Sequence, residues 1–226
     1  MVAQVRRRST PDASLPTDSR REQIDAAASA LFRERGYAGT SVREIARALD
    51  LQGASLYSHV ASKEDVLWSI IARTADRFAV LQARAEAPGG ALSRLRALIV
   101  GHVMIVASER EHAAVFLHEW RFLGERRRSE MLARRDAYEA TVRDLIAQGV
   151  ADGSFRPVDP RLTAAGLLSA LNGIAAWYRA DGPAGPTAIA AAYADLFLFG
   201  LAAPGGPVAG ELPGPHPDPN RRRQPR

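Results

Sequence analysis

Few residues of this 226-residue chain have the types and spacing for covalent or metal chemistry. It contains no cysteine, which excludes disulfides, thiolate metal sites and cysteine nucleophiles. His102, His112 and His118 stand ten and six residues apart, whereas a helical zinc site needs ligands at i and i+4. His118 and Glu119 face different sides of a helix. No glycine-rich phosphate loop or nucleophile elbow is present in the sequence. A stretch of polar residues over 40–63 is instead suited to binding. Thr40 and Ser41 offer hydroxyls and backbone N–H groups to a phosphate. Tyr57, His59 and Lys63 can grip a nucleic-acid backbone on either flank of a groove. Arg43, Gln52 and Ser55 can hydrogen-bond base edges, Ala54 can meet a thymine methyl, and Gly53 lets the main chain come close. This inventory predicts no catalytic residue, no metal and no cofactor.

Such side chains read a groove only if helices hold them in register. Ser19 with Glu22, Ser41 with Glu44, and Ser62 with Asp65 each place an acid three residues after a capping hydroxyl, which predicts three helix starts. A short helix must fit between the second and third, over about 53–60, because Leu49-Asp50-Leu51-Gln52 is long enough only for a turn. Helix, four-residue turn and helix inside a three-helix packing is the helix-turn-helix arrangement. Asp50 falls where that turn needs a left-handed residue.

Apolar residues continue at helical spacing along the chain, as in Leu67, Ile70, Ile71, Thr74, Phe78 and Leu81, with no competing strand alternation. Breaks at glycine and proline clusters leave about nine helices. The expected fold class is all-α, with a three-helix helix-turn-helix domain over 18–65 and a larger helical domain over 66–202. The arm 1–17 and the Pro/Gly/Arg tail 203–226 hold too few apolar residues to pack, so both are expected to be disordered. The longest uncharged apolar run, Leu162 to Tyr178, contains Asn172, Gly166 and Gly173 and is expected to be a buried helix rather than a membrane span. Arg6, Arg7 and Arg8 are not followed by an apolar stretch, so no secretory signal is read and a cytoplasmic location is expected.

The net charge of +5 lies mostly at the two ends. Residues 17–65 carry seven basic and eight acidic side chains, so this domain is no general polyanion binder. Specific geometry must carry any DNA contact, helped by Arg6, Arg7, Arg8, Arg20 and Arg21.

Gly36-Tyr37, Thr40-Ser41-Val42-Arg43-Glu44-Ile45-Ala46 and Leu56-Tyr57-Ser58-His59-Val60-Ala61-Ser62-Lys63-Glu64 together resemble the DNA-binding domain of the TetR family of bacterial transcriptional regulators, over about residues 19–68. Asp50 replaces the usual turn glycine and Val60 the commoner phenylalanine. The resemblance implies a repressor that binds a near-palindromic operator in double-stranded DNA as a homodimer. The last two helices would pair with their copies in a four-helix bundle. Helix 4, from about Lys63 to Ala85, would link pocket to reading head.

A second resemblance, to family members that answer to acyl-coenzyme A thioesters, rests on Phe116 to Arg121, Arg134 to Glu139, Gly149 to Phe155, Ala170 to Gly173 and Trp177-Tyr178. It implies a small-molecule effector held in an apolar tunnel, with Phe116, Trp120, Tyr138 and Trp177 as lining. Arg121, Arg126, Arg127, Arg128, Arg134 and Arg135 would meet the phosphates. Asn172 would orient a carbonyl or amide. The alternatives are a multidrug-sensing repressor of an efflux gene, which would take cationic aromatic compounds, and a helical enzyme.

Overall fold

The computed structural model describes residues 17–199. Nine α-helices and one 3-10 turn make up the regular structure of these residues, with no strand among them. The tail 203–226 and nearly all of the arm lie outside them. Helix α1 (Thr17–Arg35) starts at the last residue assigned to the arm, so Ser19 lies within its first turn instead of capping it. Gly36 at φ 75° ends the helix. Helix α2 (Val42–Ala48) is opened by the expected capping box: Ser41 Oγ accepts from Glu44 N–H, and Glu44 accepts from Ser41 N–H. Asp50 does adopt the left-handed conformation, at φ 54°. Helix α3 (Gly53–Tyr57) follows, shorter than the expected span because 58–60 leave the helix as a turn. Ile24, Ala28, Phe32, Ile45, Leu56 and Val60 close the core of this small domain against Val66 and Leu67 of helix α4 (Lys63–Ala85).

Helix α4 carries that core onward. Its Ile71, Phe78 and Leu81 stripe packs into the larger bundle, where helix α5 (Ala91–Ser108) lies at the centre. Gly101 of α5 is required by close packing, since a Cβ there would stand 2.4 Å from Leu81. Helix α6 (Arg110–His118) packs on α1 and α4, and the 3-10 turn Trp120–Phe122 leads to the long helix α7 (Glu125–Ala151). Asp159 caps helix α8 (Pro160–Trp177), accepting from the N–H groups of Arg161 and Leu162 with Pro160 in the first turn. Helix α9 (Pro186–Phe199) closes the bundle against α5.

Among the described helices, α5 is the one long and apolar enough to cross a membrane, but Leu95, Leu98, Ile99, Val103 and Val106 on it are buried in the bundle. The apolar α8 is only partly buried. Leu162, Trp177, Leu196 and Phe199 leave a broad apolar surface on α8 and α9.

Candidate functional site

The helix-turn-helix places one group of the expected residues together at the surface. Arg43 on α2 is exposed and has no partner among the described residues, as is Arg47 one turn later. Gln52 caps α3 through its backbone alone, and its exposed amide has no partner among the described residues; Ser55 and Tyr57 are exposed on the same helix. Tyr57 is 56% exposed, which leaves its ring and hydroxyl accessible to an outside group. Gly53 and Ala54 form the first turn of α3; their side chains lie outside the described ones.

Three other expected contacts, Thr40, Ser41 and Lys63, are committed to bonds within the domain. Thr40 is buried: its Oγ donates to the Gly36 carbonyl at 3.0 Å and its N–H to Tyr37 O at 3.2 Å. The tight link from α1 to α2 must satisfy its own buried polar groups, and Thr40 does so. The Ser41 hydroxyl and N–H are both committed to Glu44, whose carboxyl these bonds hold below its ordinary range. Lys63 Nζ donates to the carbonyls of Tyr37 and Thr40, each at 2.8 Å, and lies 4.1 Å from the Tyr37 ring centroid. It is a clamp on the α1–α2 link, with one N–H left for an outside group. His59 is half-buried, and its carbonyl accepts from Arg21.

Arg21 is likewise a strut. It donates to Asp25 and Ser69 side chains and to the carbonyls of His59 and Asp65. Asp25 sits buried in that network, and burial raises its carboxyl pKa. Arg20 donates to Gln23. Arg6, Arg7 and Arg8 lie outside the described residues.

A second site is a cavity of about 670 Å³ bounded by α4, α5, α6, the 3-10 turn, α7 and α8. Six expected residues line it: Phe116, Trp120, Arg134, Arg135, Tyr138 and Asn172. Phe78 stacks on Phe116 and meets Tyr138 edge to face, both with ring centroids 5.3 Å apart, giving the interior an aromatic wall. At the rim the Arg135 guanidinium lies 5.4 Å from the Trp120 ring centroid. Arg134, beside it, is bonded to Asp76 and Glu130. Asp136 and Glu139 also border the opening.

Two expected ligand residues are elsewhere. Arg121 is exposed and donates to the His118 carbonyl, because the 3-10 turn rotates it off the cavity face. Trp177 lies five residues beyond Asn172, roughly 140° further round the helix, and stacks on Tyr193 at the apolar α8–α9 surface. Of the other arginines, Arg126 and Arg128 are exposed away from the lining, and Arg127 bonds to Glu64 and Asp65. The Arg127 hydrogen bond holds the Asp65 carboxyl below its ordinary range.

His102 is the residue that histidine spacing alone did not select. It is buried at the cavity wall, with Nδ1 3.1 Å from Tyr138 Oη and Nε2 3.1 Å from Asn172 Oδ1. Burial lowers its pKa to about 4, so it is neutral at physiological pH, and burial pushes the Tyr138 hydroxyl pKa up. The signal was its place on the core stripe with Leu98, Ile99, Val103 and Val106, where a polar side chain requires partners.

The two sites meet at Tyr37. Helix α4 lines the cavity through Ala75, Phe78 and Gln82, and its first residue is the Lys63 clamp. A second route runs through the 3-10 turn: Trp120 faces the cavity, Glu119 accepts the Tyr37 N–H at 3.3 Å, and Phe122 stacks on the Tyr37 ring.

This architecture is shared. Residues 24–70 match the bacterial regulatory proteins of the tetR family, and residues 88–201 match the tetracyclin repressor-like C-terminal domain. The chain belongs to the TetR family of transcriptional regulators and is not an enzyme. It is 30% identical over 196 residues to the HTH-type transcriptional repressor KstR2 of Rhodococcus jostii, covering 85% of this chain and 96% of that protein. Among solved structures, PfmR of Thermus thermophilus aligns with a TM-score of 0.73 at 33% identity, over 80% of this chain and 99% of that one. AibR, solved in complex with isovaleryl coenzyme A and operator DNA, aligns with a TM-score of 0.71 at 30% identity, over 79% of this chain and 98% of that one.

Proposed function

We propose that this protein is a homodimeric transcriptional repressor of the cytoplasm whose operator affinity is set by an acyl-CoA thioester bound in the α4–α8 cavity. The observation that carries the reading is the cavity itself. Its volume of about 670 Å³ falls within the range of small-molecule sites, its wall is aromatic, and Arg135 at its rim has no carboxylate partner among the described residues. An acyl chain suits the wall and a phosphate suits the arginine. The likeness to AibR, whose structure holds an acyl-CoA and operator DNA, supports the same assignment.

Residues 18–65 would form the reading head and 66–202 the effector and dimerisation domain. Arg43, Gln52, Gly53, Ala54 and Ser55 are assigned to base edges, and Tyr57, His59 and the remaining Lys63 N–H to phosphates. The apolar α8–α9 surface would pair with its copy, placing two heads in successive major grooves about 34 to 36 Å apart. Effector binding acts by favouring a different head spacing, which requires tighter binding to that form.

Asp136 and Glu139 at the opening favour the second reading, a cationic aromatic drug. One experiment separates the two. Duplexes selected from a random pool by the purified protein are titrated in fluorescence anisotropy with CoA thioesters, free CoA and cationic dyes. A thioester that changes operator affinity, with free CoA inert, is the expected result. A response to dyes alone would assign the drug-sensing reading, and a lack of salt-dependent duplex binding would remove the repressor function.

A further inference from the structure

The histidine in the cavity wall sets the direction of a hydrogen-bond chain. His102 is neutral and carries one ring proton, so one of its nitrogens must donate and the other accept. Tyr138 is buried, and its hydroxyl has a single acceptor within reach among the described residues, His102 Nδ1 at 3.1 Å. A buried O–H left without an acceptor is costly, so Tyr138 donates and Nδ1 accepts. The ring proton then sits on Nε2 and is given to Asn172 Oδ1, also at 3.1 Å. Both donor protons of this chain, the Tyr138 O–H and the His102 Nε2–H, are thereby committed. Asn172 lines the cavity, and its amide Nδ2 has no partner among the described residues.

Resting on the acyl-CoA reading above, we propose that Asn172 Nδ2 donates to a carbonyl oxygen of the bound thioester, and that Tyr138 and His102 act as positioning residues that fix the amide in this orientation. The wall offers the ligand a hydrogen-bond donor backed by a one-way chain. It selects for a carbonyl at that depth and against a purely hydrocarbon insert, because an amide facing hydrocarbon loses its bond to water without replacement. The carbonyl can belong to the thioester or to the acyl chain beyond it.

The test compares octanoyl-CoA, S-octyl-CoA, which lacks the carbonyl, and S-(2-oxo-octyl)-CoA, which moves it one carbon along. Calorimetry is run on the full-length protein and on Asn172→Leu, with Tyr138→Phe as a second variant that keeps core volume but frees the histidine tautomer. Circular dichroism checks that each variant folds. For the wild-type protein, one carbonyl compound should bind about tenfold more tightly than S-octyl-CoA. That ratio should fall to near one in Asn172→Leu and part way in Tyr138→Phe. Nitrogen-15 NMR of the His102 ring should show Nε2 protonated in the ligand-free protein and mixed tautomers in Tyr138→Phe. The tighter carbonyl compound identifies the source of the oxygen.

An unchanged ratio in Asn172→Leu, or a wild-type ring protonated at Nδ1, would overturn the inference while leaving acyl-CoA binding intact. Failure of every CoA compound to bind the wild-type protein would overturn the acyl-CoA reading and the inference together.

Discussion

Lys63 and Tyr57 show how two residues of one motif divide between structure and contact. Lys63 bonds two carbonyls of the α1–α2 link, so Lys63→Met should lower unfolding free energy by ~1–3 kcal/mol in urea titrations, as well as weakening operator binding. Tyr57 is exposed and holds nothing in place, so Tyr57→Ala should change stability by less than about 0.5 kcal/mol while weakening binding to all duplexes alike. Equal stability losses in the two variants would contradict this division. His102 gives a pH test. Phe78 of α4, Phe116 of α6, Tyr138 of α7 and Asn172 of α8 face it, and none supplies a charge to stabilise the imidazolium. The unfolded chain takes up this proton near the ordinary histidine value of 6.5, the folded one only near 4. Its contribution to stability is therefore complete above pH 6.5 and declines as pH falls toward 4, by about 3 kcal/mol in all. Subtracting the pH profile of His102→Gln from that of the wild-type protein should isolate this slope. The motif residues were legible because their types and spacing name a helix-turn-helix; Thr40, Ser41 and Lys63 were legible as members of it but not as internal donors. Their partners are main-chain carbonyls and a carboxylate brought close by a loop whose path the sequence does not spell out.

At the scale of elements, cap chemistry located the starts of α2 and α4 through Ser41 and Ser62. The positive φ of Asp50 was legible from the length of the turn. Asp50→Gly should raise stability by about 0.5–1 kcal/mol, since glycine adopts this conformation without the Cβ penalty; thermal unfolding would show a lower midpoint if the penalty were absent. The 3-10 turn was not legible, because three residues give no periodicity. It nonetheless joins cavity to reading head through Trp120, Glu119 and Phe122. Glu119→Gln and Phe122→Ala are expected to leave effector affinity within about twofold and to reduce the effector's influence on operator affinity by several-fold, equivalent to ~0.5–2 kcal/mol of coupling. Retained coupling in both variants, measured by anisotropy with and without effector, would assign transmission to α4 alone.

For the whole molecule, the all-helical fold followed from periodicity and glycine and proline breaks, whereas the cavity did not. Helices α4 to α8 and the 3-10 turn bring its residues together from positions 75–172, and facing directions such as those of Arg121 and Trp177 depend on turns and helix phase. The exposed apolar surface of α8 and α9 predicts that Trp177→Glu combined with Leu196→Glu yields a monomer in sedimentation velocity, with a weakened operator complex. The central claim is that the cavity is the effector site, and calorimetric titration of the wild-type dimer with a panel of acyl-CoA thioesters tests it most directly. Saturable binding of at least one thioester, one per protomer, with none for free CoA and none in the cavity-filling variant Ala79→Trp, is the predicted result. No binding by any thioester, or equal binding by Ala79→Trp, would contradict it.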